Sequence, residues 1–293
     1  MEKIAPHLTE SWCFMDKSVA VIAIHGMGDT RSDFADELQS RLARRLGDEV
    51  FKQVHFDTVY YQDILQKNQN AMFRAMRRRE IDFVKLRKFL LFGFSDAAGL
   101  ERNADEDGSP YQQAQQKVLE TLDSCANELA SHTKPVVFIA HSLGCHVLSN
   151  YLWDAQAANA RQGIWKGVPA AQNNVEKFRR LRTLRVLFTS GCNIPIFLAG
   201  FPREEIKPVK TTTGGYNFKW HNYYDQDDVL GWPLQPMSPA YREAVYRDRE
   251  INADGGFFGK FTRGWNPLSH NGYWADKDFL KPLTAEILKH IDQ

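Results

Sequence analysis

The stretch VVFIAHSLGCHVLSNYLW, residues 136–153, changes its hydrophobic pattern at Ser142. The apolar run before the serine is continuous, which is typical of a strand buried on both faces of a parallel sheet. After the serine, the apolar residues Val147, Leu148 and Tyr151 recur at helical spacing. The sequence therefore predicts a strand, a sharp turn at Ser142 and a helix.

Segments with the same two patterns alternate on both sides of this stretch. Apolar runs that end in glycine or polar residues predict further strands, in KSVAVIAIHGMGD, VHFDTVYYQ, LRVLFTSG and NFKWHNYYDQDD. Helical patterns separate them, as in SDFADELQSRLARRLG, where Gly47 marks the end of a helix. This alternation predicts an α/β fold, with a mostly parallel central sheet flanked by helices. Because the chain shows no internal repeat and no low-complexity linker, we expect a single domain over residues 1–293.

The amino-acid composition restricts the kinds of protein that this chain can be. The chain has 293 residues, 43% of them hydrophobic, which is enough for one sizeable core. Its 37 basic and 36 acidic residues nearly balance, so the overall charge gives no reason to expect a nucleic-acid partner. No signal-peptide pattern occurs and no apolar run reaches the roughly 20 residues of a membrane span, so we expect a cytoplasmic protein. The four cysteines are far apart and form no CxxC, which predicts free thiols.

Residues 62–108 are longer than the connection they make requires. Only a few residues are usually needed between a strand and a helix, yet this segment carries apolar residues at helical spacing and an excess of cations. The predicted apolar stripe consists of Met72, Met76, Phe83, Leu86 and Leu90. We expect a helical cap insertion over residues 62–108 that roofs a pocket and keeps its basic face in solvent. The alternative is peripheral contact of residues 72–92 with an anionic membrane surface.

Ser142 lies where a catalytic nucleophile is placed in some parallel sheets. A sharp strand–turn–helix lifts a serine hydroxyl above the carboxyl edge of the sheet, where the helix N-terminus also directs N–H groups. The small residues Ala140 and Gly144 allow the strand and helix backbones to come close. The alternative is a structural serine that caps the helix. The strand before Ser142 and the helix after it favour the catalytic role.

A second loop offers hydrogen-bond donors for an oxyanion. IHGMGD, residues 24–29, ends a predicted strand in glycines. A hydrolase needs two N–H donors for the oxygen of its tetrahedral intermediate, and we expect them from Met27 and Leu143. The alternatives are an ordinary glycine turn and a phosphate loop, but the GxxxxGK[ST] spacing of the second is absent. The residues expected to support these two loops are His25, Gly26, His141 and Gly144.

A serine nucleophile needs a general base. Two histidines, His270 and His290, follow the acidic cluster near residue 225. His290 falls in a terminal amphipathic helix, whereas His270 lies in the polar loop NPLSHNGYW, and catalytic residues are frequent on such loops. We therefore expect His270 to be the base.

Three aspartates compete for the acidic role. Asp225, Asp227 and Asp228 follow a predicted strand in NYYDQDDVLGWPL. One carboxylate is enough to hold the histidine tautomer and to stabilise the imidazolium. We choose Asp227, with Asp228 as the fallback. A calcium site is the alternative, but the D-x-[DN]-x-[DN]-G spacing is absent.

The segments IHGMGD, AHSLG, DQDDVLGWPLQPM and SHNGYW occur in this order, and the chain resembles the alpha/beta-hydrolase superfamily over roughly residues 18–290, the insertion excepted. Residues 227–229, with Pro236 downstream, are similar to a D-P-V…P-L segment of DDHD-type and other intracellular lipase-like members. In that segment the first aspartate is the triad acid, which supports Asp227. The resemblance implies an alpha/beta-hydrolase fold with an eight-stranded, mostly parallel sheet and no required cofactor.

These expectations together predict a serine hydrolase that cleaves the ester of a small molecule or a lipid. Ser142 would attack the ester carbonyl, His270 would take the serine proton, and Asp227 would orient the histidine. We expect no metal site and no other cofactor. Two alternatives stay open: a non-catalytic module on the same fold that binds lipid or a membrane surface, and a serine-dependent acyltransferase.

Overall fold

A sheet of parallel strands forms the centre of the molecule. The computed structural model describes residues 17–157, 159–209, 218–252 and 272–291. The strands in these residues are β1 (Val19–Ile24), β2 (Val54–Val59), β3 (Val136–His141), β4 (Leu184–Ser190), β5 (Lys219–Tyr224) and β6 (Val245–Glu250). Their order across the sheet is β2-β1-β3-β4-β5-β6, and every neighbouring pair is parallel.

Helices connect the strands and cover both faces of the sheet. In the described residues they are α1 (Asp36–Leu46), α2 (Asp48–Phe51), α3 (Asp63–Met76), α4 (Val84–Glu101), α5 (Pro110–Glu128), α6 (Leu143–Gln156), α7 (Asn174–Arg179), α8 (Ile194–Leu198), α9 (Pro239–Ala244) and α10 (Lys277–Ile291). Short 3₁₀ turns span Gln235–Met237 and Tyr273–Ala275. None of these helices combines the length and the apolar character needed to cross a lipid bilayer.

Two apolar cores lie on opposite faces of the sheet, because the side chains of a strand alternate between its faces. In β1, Ile22 and Ile24 belong to the core that α5 and α6 cover. Val19 and Val21 belong to the core that α1 and α10 cover. All of β1 is buried, and burial on both sides explains why the strands are continuous apolar runs in the sequence.

This architecture confirms the predicted α/β fold with a parallel sheet between layers of helices. The strand and helix predicted around Ser142 are β3 and α6. The eight strands that the resemblance implied are not reached: the described residues hold six strands, all parallel. The described chain enters the sheet directly at β1, so no antiparallel strand precedes β1 within it. The single-domain expectation stays a prediction.

Two helices, α3 and α4, occupy the long connection between β2 and α5. We call residues 63–101 the cap hairpin. A break between the two helices interrupts the single stripe that the apolar spacing predicts, and Phe83 and Leu90 of that stripe are exposed. The hairpin instead buries Phe73 against Phe92, whose ring centroids lie 6.1 Å apart.

Three cysteines, Cys125, Cys145 and Cys192, are free thiols in the structure, as the sequence predicts. All three are buried. Cys13 lies outside the described residues.

Candidate active site

Ser142 occupies a strained turn between β3 and α6. Its backbone has φ 51° and ψ −123°, and a left-handed φ of this kind costs a non-glycine residue about 1–3 kcal/mol. The turn is held by the Ser142 N–H, which donates to the carbonyl oxygen of Ser190 at 2.9 Å. Ser142 stands at the N-cap position of α6, but its side chain makes no capping hydrogen bond. The geometry therefore gives no support to the alternative of a capping serine.

Two glycines allow neighbouring backbone segments to approach this turn. A side chain at Gly144 would place its Cβ 2.3 Å from the carbonyl oxygen of His25. A Cβ at Gly26 would lie 2.6 Å from the Cβ of Ser142 and 3.2 Å from its Oγ. The loop after β1 therefore passes directly against the serine, and both positions need glycine because no side chain fits there.

The loop after β1 and the start of α6 bring two backbone amides to the serine. Met27 follows Gly26, and Leu143 follows Ser142 as the first residue of α6. In the described part of the chain, neither the Met27 nor the Leu143 N–H donates a hydrogen bond to another protein group. Amides so placed can donate to a developing oxyanion. Their role as an oxyanion hole stays a prediction.

His25 fixes the loop after β1 from the inside. Its Nε2 accepts a hydrogen bond from the Tyr61 backbone N–H at 3.1 Å, so Nδ1 carries the proton and donates to the Gly26 carbonyl oxygen at 2.7 Å. The imidazole stacks on the Tyr61 ring at 4.1 Å. Burial lowers the pKa of His25 to about 4, which keeps the ring neutral at neutral pH. His25 thus supports the loop and is not placed to act as the base.

A second set of contacts ties the end of β3 to β4 and to the turn before α10. His141 Nδ1 lies 3.1 Å from the Ser190 carbonyl oxygen. The indole N–H of Trp274 donates to Ser190 Oγ at 3.1 Å. The His141 ring also packs against Trp274, with centroids 5.8 Å apart. His141 therefore helps to hold together the segments that surround Ser142.

A cavity of about 250 Å³ lies beside the serine. Its walls come from the loop after β1, the end of β3 and three aromatic residues. The lining residues are His25, Gly26, Met27, Thr30, Phe34, His141, Tyr273 and Trp274. Ser142 itself is 0% exposed. Its Oγ is therefore closed off from solvent in this conformation.

A smaller apolar cleft, of about 70 Å³, lies between α4 and α8. Met27 lines this cleft as well as the cavity beside the serine. Leu90 and Phe94 of α4 and Ile196 of α8 form its walls, with Leu230 from the segment after β5. The cleft therefore begins at the loop that passes against Ser142.

The three aspartates after β5 differ in burial. Asp225 and Asp228 are buried, whereas Asp227 is exposed. Asp228 accepts hydrogen bonds from the Tyr273 hydroxyl at 2.8 Å and from the Leu230 N–H at 3.0 Å. Burial, together with the Asp228 carboxylate, raises the pKa of Tyr273, so the phenol keeps its proton and donates it.

A carboxylate that orients a histidine has to be held in place, which favours a buried one. On this ground Asp228, the fallback, fits the acidic role better than Asp227, the choice made from the sequence. Asp225 is buried as well, so the choice among the three aspartates stays a prediction. His270, the expected base, lies outside the described residues, so its role stays a prediction. His290 lies on α10, in the terminal helix where the sequence predicts it.

Sequence reasoning missed one residue that contacts the loop after β1. Asp96 of α4 is buried and accepts hydrogen bonds from the Gly28 N–H, at 3.1 Å, and from the Gln69 side chain. Burial raises the pKa of its carboxyl group. A second link joins Lys88 Nζ to Asp29 Oδ2 at 2.6 Å. The cap hairpin therefore holds this loop through polar contacts, and the signal in the sequence was a lone acid in the otherwise apolar run FLLFGFSDAAGL.

One group in the described residues has the composition and spacing of a metal site. Ligand atoms of His55, Asp57 and Cys125 lie within 4.8 Å of one another. His55 Nε2 pairs with Asp57 Oδ2 at 3.6 Å, and burial raises the pKa of the Cys125 thiol. His55 is opposite Ala20 in the sheet, at the other end of β1 from the serine turn, so this group takes no part in the site.

Comparison with known proteins adds little to this geometry. No family model matches the chain, and no curated protein matches it. Among solved structures it is similar to a protein from Lactobacillus plantarum that is provisionally assigned as a carboxylesterase, with 11% identity, a TM-score of 0.42 and coverage of 98% of this chain and 90% of that one. Likeness at this level carries no argument about function, which has to be argued from the residues around Ser142.

Proposed function

We propose that the protein is a serine hydrolase that cleaves carboxylic esters, with Ser142 as the nucleophile. The observation that carries the proposal is the strained turn at Ser142, at the carboxyl end of a parallel strand and the N-terminus of a helix. A strained residue of this kind persists only where the surrounding structure holds it, and such residues are frequent at active sites. The close approach of Gly26 to the serine Oγ supports the same role.

The proposed reaction passes through an acyl-enzyme. Ser142 Oγ attacks the ester carbonyl carbon while His270 takes the hydroxyl proton, which it then gives to the departing alcohol. The N–H groups of Met27 and Leu143 donate to the oxyanion, and loss of one such donor typically costs about 3 kcal/mol. A water molecule, deprotonated by the same histidine, hydrolyses the acyl-enzyme and restores the serine.

We assign the acidic role to Asp228. Its burial and its hydrogen bonds from the Tyr273 hydroxyl and the Leu230 N–H support this choice, because they hold the carboxylate in one orientation. An exposed Asp227 carboxylate would be solvated and free to turn. In the proposed triad Asp228 orients His270 and stabilises the imidazolium that forms during attack.

The acyl group of the substrate would occupy the apolar cleft between α4 and α8. Met27, whose backbone N–H is one proposed oxyanion donor, lines this cleft, which is the reason for placing the acyl chain there. Its lining is almost entirely hydrophobic side chains, which favours an aliphatic acyl chain over a charged one.

Hydrolysis of p-nitrophenyl esters of increasing acyl length tests the proposal. We expect the wild-type protein to hydrolyse these esters. A Ser142→Ala variant should show a kcat at least about 10⁴-fold lower, with a circular dichroism spectrum like that of the wild type. Ser149→Ala, on the same helix, is the matched control and should keep its activity. A Ser142→Ala protein that hydrolyses the esters like the wild type would refute the proposal.

A further inference from the structure

The cap hairpin exposes several large apolar side chains at positions where the surface of a soluble protein usually carries polar residues. Phe83 is 76% exposed, Phe94 is 70% exposed and Leu90 is 41% exposed. Met72 and Met76 at the end of α3 are exposed as well. Clustered exposed apolar residues usually mark a contact with another molecule or with a membrane.

These side chains are continuous with the mouth of the apolar cleft. Leu90 and Phe94 both line the cleft and reach solvent. Across the mouth, Ile196 of α8 is also exposed, and so is Val229, next to the lining residue Leu230. The exposed apolar surface therefore surrounds the entrance through which an acyl chain would pass.

Cations flank the same surface. Between residues 74 and 87, six exposed arginines and lysines face only two exposed acids, and the cations are Arg74, Arg77, Arg78, Arg79, Lys85 and Arg87. Lys88 is not among them, since it pairs with Asp29. Apolar side chains set among cations match the interface of an anionic lipid bilayer, where acyl chains lie beneath phosphate and carboxylate headgroups.

We propose that the cap hairpin docks on an anionic lipid bilayer, with the cleft mouth toward the lipid, and that the substrate is a lipid ester taken from that surface. The choice of substrate rests on the proposed ester hydrolase. A second copy of the chain fits this surface poorly, because a two-fold contact would place the arginine clusters of both copies together. An acidic protein would match the cations but leaves the exposed phenylalanines without a partner.

Cosedimentation with vesicles tests the docking without turnover, using the full chain with Ser142→Ala. Vesicles of phosphatidylcholine alone are compared with vesicles that contain 30% phosphatidylserine, at low and high salt. We expect binding to the anionic vesicles that weakens as salt rises. Reversal of two cations, Arg77→Glu with Arg78→Glu, should weaken this binding by roughly thirtyfold or more. The matched control, Arg44→Glu with Arg45→Glu on α1, should bind like the parent.

A second pair of variants tests the apolar part of the surface. Leu90 and Leu288 are equally exposed, at 41% and 43%, but Leu288 lies on α10, away from the cap hairpin. Leu90→Ser should weaken vesicle binding severalfold, and Leu288→Ser should not. Equal effects of the two serine variants, or equal effects of the two pairs of charge reversals, would overturn the docking.

The other occupants of the surface give distinct results. Binding to polyglutamate that matches the binding to anionic vesicles would indicate an acidic protein and overturn the proposal. A dimer in sedimentation equilibrium that Leu90→Ser dissociates would indicate a second copy and overturn it as well.

Different experimental results would refute the membrane docking and the proposed ester hydrolysis. Hydrolysis of soluble esters without vesicle binding overturns the docking and leaves the ester hydrolase intact. Vesicle binding without hydrolysis of any ester overturns the hydrolase, and with it the lipid ester as substrate.

Discussion

The serine turn and the cap hairpin lie on either side of Met27, but different forces hold them. At the serine turn, backbone atoms approach so closely that Gly26 and Gly144 cannot carry a side chain. The cap hairpin reaches the same loop through the packing of Gly93 against the Met27 side chain and a few polar contacts, chiefly those of Asp96 and Lys88. It also leaves apolar side chains exposed.

This difference predicts that the serine turn is rigid and that the cap hairpin can move. Steric packing of buried backbone leaves the serine turn a single conformation. Hydrogen bonds at the hairpin can be exchanged for bonds to water at a small net cost, about 1 kcal/mol each. We therefore expect the turn at Ser142 to keep its geometry while the polar contacts of the cap hairpin exchange.

The largest expected effect is a loss of activity from a substitution in the proposed active site. Asp228→Asn should lower kcat for ester hydrolysis by about 10³–10⁴-fold, because the histidine would be held in the wrong tautomer. Asp227→Asn, one residue away on the exposed side, should cost less than about threefold. Steady-state kinetics of the two variants decide the matter, and a crippled Asp227→Asn enzyme would restore the choice made from the sequence.

A pair of glycine substitutions compares the two regions directly. Gly144→Ala should lower the free energy of unfolding by about 3 kcal/mol, because the new Cβ meets a backbone carbonyl oxygen that cannot move away. Gly93→Ala in α4 places its Cβ 2.5 Å from the Met27 sulfur, the far end of a flexible side chain. The better helix propensity of alanine offsets that shift, so we expect a change below about 1 kcal/mol. Urea unfolding measures both, and similar losses would contradict the comparison.

The pH dependence of stability should have opposite signs in the two regions. The pKa of His25 is about 4 in the folded protein and about 6.5 when unfolded, so protons favour the unfolded chain as pH falls from 6.5 toward 4. Between pH 7 and pH 4.5 this group should remove about 2 kcal/mol of stability. The raised pKa of Asp96 acts the other way, since the folded state binds its proton more readily and gains stability as pH falls.

Unfolding of His25→Gln as a function of pH checks the first of these signs. Between pH 7 and pH 4.5, the free energy of unfolding of the variant should fall less than that of the wild type, because the contribution of His25 is missing. His221, whose pKa burial also lowers to about 4, remains in both proteins as an internal reference. An unchanged difference between pH 7 and pH 4.5 would show that His25 is not held neutral.

The smallest effect is expected where the cap hairpin holds the loop after β1. Asp96→Ala removes the acceptor of the Gly28 N–H, so kcat should fall about tenfold as the Met27 amide loses its fixed position. Asp96→Asn keeps an oxygen that can accept this bond and should retain most of the activity. A loss confined to KM, or equal losses in both variants, would argue against a positioning role for Asp96.

The sequence predicted the parts of the molecule that depend on local patterns. The strands β1 and β3 are continuous apolar runs because both faces are buried, and the turn at Ser142 needs the small residue Gly144 next to it. These constraints act within a few residues, so they are visible in the sequence.

Contacts between distant segments were not visible in the same way. The hydrogen bond that distinguishes Asp228 comes from Tyr273, 45 residues later, and adjacent aspartates share one local pattern. The bond between Asp96 and Gly28 spans 68 residues. The break in the cap hairpin was also missed, because apolar spacing alone does not show where one helix ends and the next begins.

Covalent labelling tests the central claim, that Ser142 is an activated nucleophile, most directly. The wild-type protein is treated with a fluorophosphonate and analysed by intact mass and peptide mapping, beside Ser142→Ala and Ser149→Ala. The account predicts a single adduct on Ser142, present in the wild type and in Ser149→Ala and absent from Ser142→Ala. Labelling that persists in Ser142→Ala, or a folded wild-type protein that takes no label, would contradict it.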